Sequence, residues 1–258
     1  MLRPRVIPCL LIHQGALVKT FRFGASKYVG DPINAVRIFN EKGADELMVL
    51  DIDATVNNID PNFSMISTLA AECRMPLCYG GGIKNAIQAK RIIGLGVEKI
   101  AISSAFIENP GIIPAISNEI GRQSVVVVLD VKKSASTGNY DVFIRNGQVN
   151  ASIHVCEAAI EAQKLGAGEI VINSIDRDGA MSGYDISLAS MVKDAINIPI
   201  TILGGARRLE DMGDLVDACG IVGVSAGSLF VFKGVYKAVL INYPSMAKRD
   251  EIFLNKLE

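Results

Sequence analysis

The feature that most constrains the fold of this chain is an internal repeat with a period of roughly 120 residues. Strand-like runs, glycine turns and polar residues recur in the second half in the order of the first, so four βα units occur twice. The matching positions are Asp51 with Asp176, Gly81 and Gly82 with Gly204 and Gly205, and Ser103 and Ser104 with Gly227 and Ser228.

Eight short, largely apolar runs alternate with stretches of helical period, which is typical of parallel strands buried on both faces. The sequence therefore predicts an α/β fold, a single (β/α)₈ TIM barrel with an internal half-barrel repeat, over residues 1–258 as one domain. An open doubly wound sheet is the alternative, but its usual glycine fingerprint after the first strand is absent. The predicted strands are Val6–Ile12, Glu46–Ile52, Pro76–Tyr79, Lys99–Ser103, Val125–Val131, Glu169–Asn173, Pro199–Leu203 and Ile221–Ser225.

Composition narrows the class of function. A formal net charge of -1 without a basic run does not favour nucleic acid or an anionic membrane as a partner. No apolar stretch reaches the ~20 residues that span a bilayer, and no signal peptide is recognisable, so we expect a cytoplasmic protein. The five cysteines are scattered and odd in number, which indicates neither disulfides nor a zinc site. We expect no metal and no cofactor.

A long insertion, 132–151, follows the fifth predicted strand. Asn146 and Gly147 within it favour a small hairpin. Because this loop leaves the carboxyl end of a strand, we expect it to lie over the catalytic face of the barrel.

Two glycine-rich turns are candidate phosphate sites, since free N–H groups at a strand-to-helix turn attract anions. Gly82, Ser103 and Ser104 would form the first. The second would be formed across the barrel mouth by Gly205, Gly227 and Ser228. The plainer interpretation is that these glycines only permit tight turns, but two such pairs in symmetric places favour a substrate with phosphate at both ends.

Several charged residues fall where a barrel places its catalytic groups. Asp130 ends the fifth strand and is the best candidate for a general acid or base. Asp51 and Asp176 could act on substrate or could orient loops by accepting backbone N–H groups. Lys19, placed in the loop after the first strand, could reach a phosphate or a carbonyl, or could be an ordinary solvated lysine.

Four residues of balanced charge fall at the starts of strands, which gather at the opposite end of the barrel: Arg5, Glu46, Lys99 and Glu169. A solvated face is the plain interpretation. If the side chains point inwards, they form a ring that must pair, and breaking it would be costly.

At this point the chain resembles a known family, the cyclase subunit of imidazole glycerol phosphate synthase, over almost its whole length. The matching segments are RVIPCLL, GDPINAVRIFNEKGADELMVLDID, YGGGIK, VEKIAISSA, VVVVLDVKK, GAGEIVINSIDRDGAMSGYD, GGARRLED and AGSLFVF. The related isomerase of the same pathway shares the half-barrel repeat but lacks the IPCL opening and the SIDRDG segment.

The resemblance implies a barrel that takes ammonia from a glutaminase subunit docked at its bottom and adds it to a bisphosphorylated substrate at its top. Its phosphate contacts map onto the two candidate sites above, and its charged ammonia gate maps onto all four strand-start residues. Glu98 matches an acidic position that faces the glutaminase.

Two departures from the family pattern concern the top of the barrel. The family opening IPCLD is IPCLL here, so that Leu11 replaces the Asp that pairs with the strand 5 Asp as the second acid/base group. An apolar side chain cannot transfer a proton, and His13, two positions further on, is expected to lie too deep in the loop to replace it. Leu203 stands where the family commonly has a small polar residue, which weakens the second phosphate site.

Three hypotheses remain. IPCLL, LVKT and KYVGDPINA resemble a paralogous branch that works with a glutaminase and an ATP-dependent amidotransferase in making acetamidino sugars of surface polysaccharides. The first alternative is the ordinary histidine-pathway cyclase, slowed by Leu11. The second is a non-catalytic barrel that binds a ligand and activates its glutaminase.

Overall fold

Eight parallel strands close on themselves into a barrel in the computed structural model, which describes residues 3–253. Each pairs with its two neighbours in chain order, and the circle is closed by the pairing of the first strand with the eighth. The barrel strands are β1 (Arg5–His13), β2 (Leu47–Asp51), β3 (Leu77–Gly80), β4 (Lys99–Ile102), β5 (Val125–Lys133), β6 (Glu169–Ser174), β7 (Ile200–Leu203) and β8 (Gly223–Ala226).

The predicted barrel and its eight strands are confirmed, and the bounds differ by at most two residues at either end. The apolar runs predicted the strands well because both faces of these strands are buried. One face points into the barrel, the other packs on helices, and apolar side chains are required on both.

Helices connect successive strands on the outside of the barrel. Several begin at a side chain that accepts a backbone N–H of the first turn, as Asp31, Asn62, Asn85 and Asp185 do. The helices are α1 (Pro32–Glu41), α2 (Phe63–Glu72), α3 (Ala86–Gly94), α4 (Ser104–Glu108), α5 (Ile112–Ile120), α6 (Val155–Leu165), α7 (Ile186–Ala195), α8 (Leu209–Cys219), α9 (Ser228–Val231) and α10 (Met246–Phe253), with 3-10 turns at Arg122–Ser124 and Ile175–Arg177.

The barrel wall separates two apolar cores. The larger lies between the strands and the helices. The smaller fills the inside of the barrel and consists of Ile7, Cys9, Met48, Cys78, Ala101, Val126, Val128, Val171 and Leu203, with Leu11 and Leu50 packed against it. The interior is therefore a packed apolar column rather than an open pore.

The two halves share backbone conformation at their corresponding turns. After β3, Gly81 has φ 122°, and after β7 its counterpart Gly204 has φ 98°. Both values lie in the region that favours glycine. Ser103 and its counterpart Gly227 likewise precede a short helix each, α4 and α9. The repeat seen in the sequence is thus a repeat of local structure.

Antiparallel hairpins lie at the carboxyl ends of some barrel strands. The predicted one in the insertion is confirmed, with strands Tyr140–Ile144 and Val149–His154 and positive φ at Asn146 and Gly147. The sequence did not predict a second, Ala16–Thr20 with Ser26–Gly30, or a short pair, Phe232–Lys233 with Ala238–Val239.

Candidate active site and charged ring

The four charged residues at the strand starts form one ion-paired ring inside the barrel. Arg5 contacts Glu46 at 2.5 Å and Glu169 at 2.7 Å. Lys99 Nζ lies 2.9 Å from Glu46 and 3.0 Å from Glu169. Each cation thus bridges both carboxylates, and we call these four side chains the charged ring.

The two carboxylates of the ring are withdrawn from solvent, while the Arg5 and Lys99 side chains are 32% and 18% exposed, so the interpretation as a solvated face is wrong. The side chains of Glu46 and Glu169 are 4% and 7% exposed. Burial by itself would raise the pKa of Glu169, but Lys99 and Arg5 hold it below its ordinary value. Burial would likewise lower the pKa of Lys99, but Glu169 and Glu46 raise it. Arg5, Lys99 and Glu169 are therefore charged at neutral pH.

The alternation of side chains along a strand leads from the ring to the other end of the barrel. On β1 the inward positions run from Arg5 through Ile7 and Cys9 to Leu11, and on β6 from Glu169 to Asn173. Between the charged ring and the far end the interior is apolar. Both a charged species and a small neutral one would lose their hydration there, but the free-energy cost is far larger for the charged species.

A cavity of about 450 Å³ opens at the carboxyl ends of the strands. Its walls bring together residues from both halves that the sequence singled out. They include Lys19, Gly82, Ser103, Ser104, Asp130, Leu203 and Gly227, and Asp178 lies beside them.

Asp130 is the most perturbed carboxyl in this cavity. Burial raises its pKa to about 7, against the lowering effect of hydrogen bonds from Asn173 and Ser103. Asn173 Nδ2 donates to Oδ1 at 2.9 Å, and Ser103 Oγ lies 3.5 Å from Oδ2. A carboxyl that titrates near neutral pH can both donate and accept a proton, which suits a general acid or base.

Leu11 lines the cavity without any proton to exchange, but His13 also lines it. The imidazole Nδ1 lies 2.7 Å from Asp53 Oδ1, and Asp53 Oδ2 accepts the backbone N–H of Gln14 at 2.7 Å. His13 is the last residue of β1. The expected position of His13 in the loop is therefore wrong, and that His13 does not replace the missing acid/base group stays a prediction.

Lys19 does not lie in a loop, which corrects its expected placement, and it is not solvated, which excludes the plainer of its two interpretations. It lies on the strand Ala16–Thr20 and is 7% exposed. Its Nζ donates to the backbone carbonyl of Cys9, and burial lowers its pKa. Its side chain packs on Gly227, where any Cβ would collide with it. The ammonium therefore lies at the second predicted phosphate site.

The three residues of the first predicted phosphate site, Gly82, Ser103 and Ser104, all line the cavity, and phosphate binding by them stays a prediction. The N–H of Gly82 points to Thr55 Oγ1 at 3.4 Å. Ser104 Oγ accepts the N–H of Arg145 from the hairpin tip at 3.0 Å. Asn146 next to it donates to the carbonyl of Ile52 at 2.8 Å, so that the hairpin spans the cavity mouth as predicted.

The second predicted phosphate site is only partly assembled. Gly227 and Leu203 line the cavity, but Gly205 and Ser228 are not among its lining residues. Gly205 is covered by a loop whose Gly183 N–H donates to its carbonyl at 2.9 Å.

The two aspartates at corresponding places of the halves both hold loops. Asp51 accepts the N–H groups of Asp53 and Ala54 at 3.0 and 3.2 Å. Asp176 accepts the N–H of Lys133 at 2.9 Å and does not line the cavity. Their placement favours the loop-orienting interpretation, and substrate binding by Asp176 stays a prediction.

Three side chains near these centres were missed from the sequence: Thr201 beside the ring, Asn173 beside Asp130, and Asp53 beside His13. Strand parity could have found the first two, because each lies an even number of positions from an inward residue on its own strand. No local pattern pairs His13 with a residue 40 positions away.

Glu98 is exposed immediately before β4, at the end of the barrel that carries the ring. Within residues 3–253, no group of three His, Cys, Asp or Glu side chains could hold a metal ion. No helix in that range is long and apolar enough to cross a membrane.

Fold and site together define a class: a (β/α)₈-barrel protein of two similar halves, with a binding cavity at the carboxyl ends of its strands and a charged ring at the other end. A family model described as "Histidine biosynthesis protein" matches residues 5–237.

Relatives support the match along the whole chain. "Putative imidazole glycerol phosphate synthase subunit HisF" of Leptospira borgpetersenii is 54% identical over 98% of this chain and 100% of its own length. "Putative imidazole glycerol phosphate synthase subunit hisF3" of Vibrio vulnificus is 54% identical over 97% and 96%. "Imidazole glycerol phosphate synthase subunit HisF" of Lactococcus lactis subsp. cremoris is 39% identical over 89% of each. The chain belongs to the histidine biosynthesis protein family, as a barrel of the HisF type.

Proposed function

We propose that this chain is the synthase subunit of a glutamine amidotransferase, which receives ammonia from a glutaminase bound at the ring end and delivers it to the cavity. The charged ring is the observation that carries the proposal. Two buried carboxylates, each held by two partly exposed bases, cost desolvation free energy that an apolar plug would avoid. A ring of hydrogen-bonding groups at the entrance to an apolar column is suited to admitting a small polar molecule and excluding ions.

Ammonia fits the column because it is neutral. The ammonium ion would have to shed its hydration among Ile7, Cys78 and Val171, which is strongly unfavourable. Proton removal at the ring and passage as NH₃ therefore go together. Exposed Glu98 beside the ring is a docking residue for the glutaminase in this proposal.

The acceptor is a phosphorylated small molecule bound in the cavity, with Gly82, Ser103 and Ser104 holding its phosphate. Asp130 transfers a proton during addition of the nitrogen. Lys19 lies across the cavity by Gly227 and adds a positive charge there. No cofactor is assigned.

We further propose that the nitrogen ends in an acetamidino group of a surface-polysaccharide sugar, made together with an ATP-dependent amidotransferase. Leu11 and Leu203 support a departure from the family reaction, since they place apolar side chains where proton transfer and anion binding would need polar ones. Losing a general acid/base costs about 10²–10⁴ in rate.

Deletion of the gene from its own cell tests the branch directly. The proposal predicts growth without histidine, together with loss of amidine carbon signals from the NMR spectrum of the purified polysaccharide. A histidine requirement, with amidine signals unchanged, would contradict it.

The ring is tested in the purified complex with the glutaminase. Lys99→Ala should leave glutamine hydrolysis in place while nitrogen transfer falls, because ammonia escapes before reaching the cavity. Lys90→Ala is the matched control, since Lys90 pairs with Glu119 on the exposed surface. Tight coupling retained in Lys99→Ala would remove the ring from the ammonia path.

The ordinary cyclase of histidine biosynthesis is the second candidate, favoured by one observation: Asp130 keeps the burial and pKa of an acid/base group. Adding the bisphosphorylated cyclase substrate with ammonium salt separates the two. Turnover equal to that of an Asp-bearing cyclase, or lowered by no more than the roughly 10²–10⁴-fold that one missing acid/base group costs, would support this candidate. Absence of the imidazole product would support the sugar branch.

A further inference from the structure

Thr201 is a fully buried hydroxyl on β7 beside the charged ring. Its Oγ1 donates to Glu169 Oε1 at 2.6 Å, and none of its surface is exposed. The neighbouring strand makes room for it, because a Cβ on Gly223 would collide with Thr201 Oγ1. Through Gly223, Thr201 lies in register with Arg5, so its hydroxyl is a fifth polar group at the level of the ring, and a buried hydroxyl needs a hydrogen-bond partner.

The bond makes the ring asymmetric. Glu169 accepts from Arg5, Lys99 and Thr201. Glu46 accepts from Arg5 and Lys99. If Lys99 swings away, Glu169 keeps two donors from two different strands, whereas Glu46 keeps only its bond to Arg5.

Lys99 is the part of the ring best able to move. Its ammonium is held only by the two carboxylates and ends a flexible stem, while Arg5 is fixed by a forked contact to both. When Lys99 moves away, the Glu169 carboxylate must keep its position, because otherwise Lys99 could not re-form its ion pair on returning.

We propose that Thr201 is a positioning residue that fixes Glu169 as the static side of the ring, so that the ring opens by movement of Lys99 away from it. This inference rests on the proposed function, in which the ring controls passage into the barrel.

The chain carries its own reporter of that passage. Cys78 is fully buried in the interior column, close to Glu46 and Lys99. Cys9 lines the cavity at the other end of the same column. Cys219 is buried outside the barrel, and Cys73 and Cys156 are partly exposed. Labelling that reaches Cys78 without Cys9 or Cys219 therefore means entry through the ring.

The experiment labels the folded chain with methyl methanethiosulfonate, a small neutral thiol reagent, and measures each cysteine by peptide mass spectrometry. Thr201→Val removes the hydroxyl at nearly constant shape, and Thr201→Ser keeps it. We expect Thr201→Val to raise the labelling rate of Cys78 at least about 5-fold with Cys9 and Cys219 unchanged, and Thr201→Ser to behave as the native chain. The labelling rates of the partly exposed Cys73 and Cys156 are compared between variants, to check that the reagent is equally active in each sample.

Lys99→Ala separates the inference from the proposal beneath it. If Lys99→Ala exposes Cys78 and Thr201→Val does not, the ring closes the barrel but Thr201 does not position it, and the inference is overturned. If neither exposes Cys78, the ring is not a barrier and the proposed passage fails as well. A joint rise at Cys9, Cys78 and Cys219 in Thr201→Val would mean general loosening and would also overturn it.

Discussion

Replacing Lys99 by methionine removes one charge from the ring and nearly preserves side-chain volume. The ring is formally neutral in the native chain, since Arg5 and Lys99 balance two glutamates. In Lys99→Met the ring keeps a formal net charge of -1. The two glutamate side chains that carry the negative charge are at most 7% exposed. Lys99 Nζ makes contacts of 2.9–3.0 Å with both carboxylates, and all of them are lost together.

Removing one partner of a buried ion pair costs about 3–5 kcal/mol, because the other charge stays buried without compensation. We therefore expect the free energy of unfolding to fall by about that amount at pH 7. The pKa of Glu169 lies below its ordinary value in the native protein, so its stabilisation is present above the unfolded pKa, about 4.3, and is lost as pH falls through the folded value. Lys99→Met lacks most of this stabilisation by ionised Glu169. The difference in unfolding free energy between native chain and variant should therefore shrink as pH falls below about 4.3.

Urea unfolding of native and variant proteins at pH 7 and at about pH 3, well below the unfolded pKa, measures both quantities. Lys90→Met is the matched control, for which an exposed pair predicts a change of about 0–1 kcal/mol. A Lys99→Met effect as small as the control, or one equal at both pH values, would refute the account of a buried and charged ring.

Three further predictions concern the cavity end. Burial raises the pKa of Asp130 to about 7, so ionisation of this carboxyl destabilises the folded state as pH rises from about 4. In urea unfolding, Asp130→Asn should therefore be more stable than the native chain at pH 8 but not at pH 4. The reverse order would mean that Asp130 is paired and ionised. Gly81→Ala should lose more unfolding free energy than Gly15→Ala, because both have positive φ but only a Cβ on Gly81 meets backbone; equal losses would mean that the turn yields. In long-range ¹H–¹⁵N spectra His13 should carry its proton on Nδ1 and lose that preference in Asp53→Asn; a proton on Nε2 in the native chain would contradict the assigned orientation.

The barrel could be predicted because its cause is periodic and local. Runs such as Val125–Leu129 are apolar at every position, which only strands buried on both faces require, and the 120-residue repeat indicated their grouping into halves. The insertion hairpin followed from Asn146 and Gly147, whose positive φ values the turn needs. The same reasoning failed for Lys19, because an antiparallel pair folded back on β1 has no comparable apolar signature.

The candidate site was only partly predictable. Residues at strand ends, such as Asp130 and Gly82, could be placed from their strands alone. Composition could not decide whether Arg5 and Glu46 are solvated or buried. Their burial depends on whether the inward-facing positions of strands distant in sequence meet inside the barrel. Pairs such as Thr201 with Glu169 depend on the stagger of strands around the barrel, which no local pattern encodes.

The central claim is that nitrogen reaches the cavity through the ring and not from solvent. It is tested most directly with [amide-¹⁵N]glutamine, the glutaminase, this chain, ATP, the amidotransferase and an N-acetylated nucleotide sugar, in a large excess of unlabelled ammonium. The account predicts that the amidine nitrogen of the product is predominantly ¹⁵N in the native chain and mostly unlabelled in Lys99→Ala. Product from the native chain with the isotope ratio of bulk ammonium would contradict it.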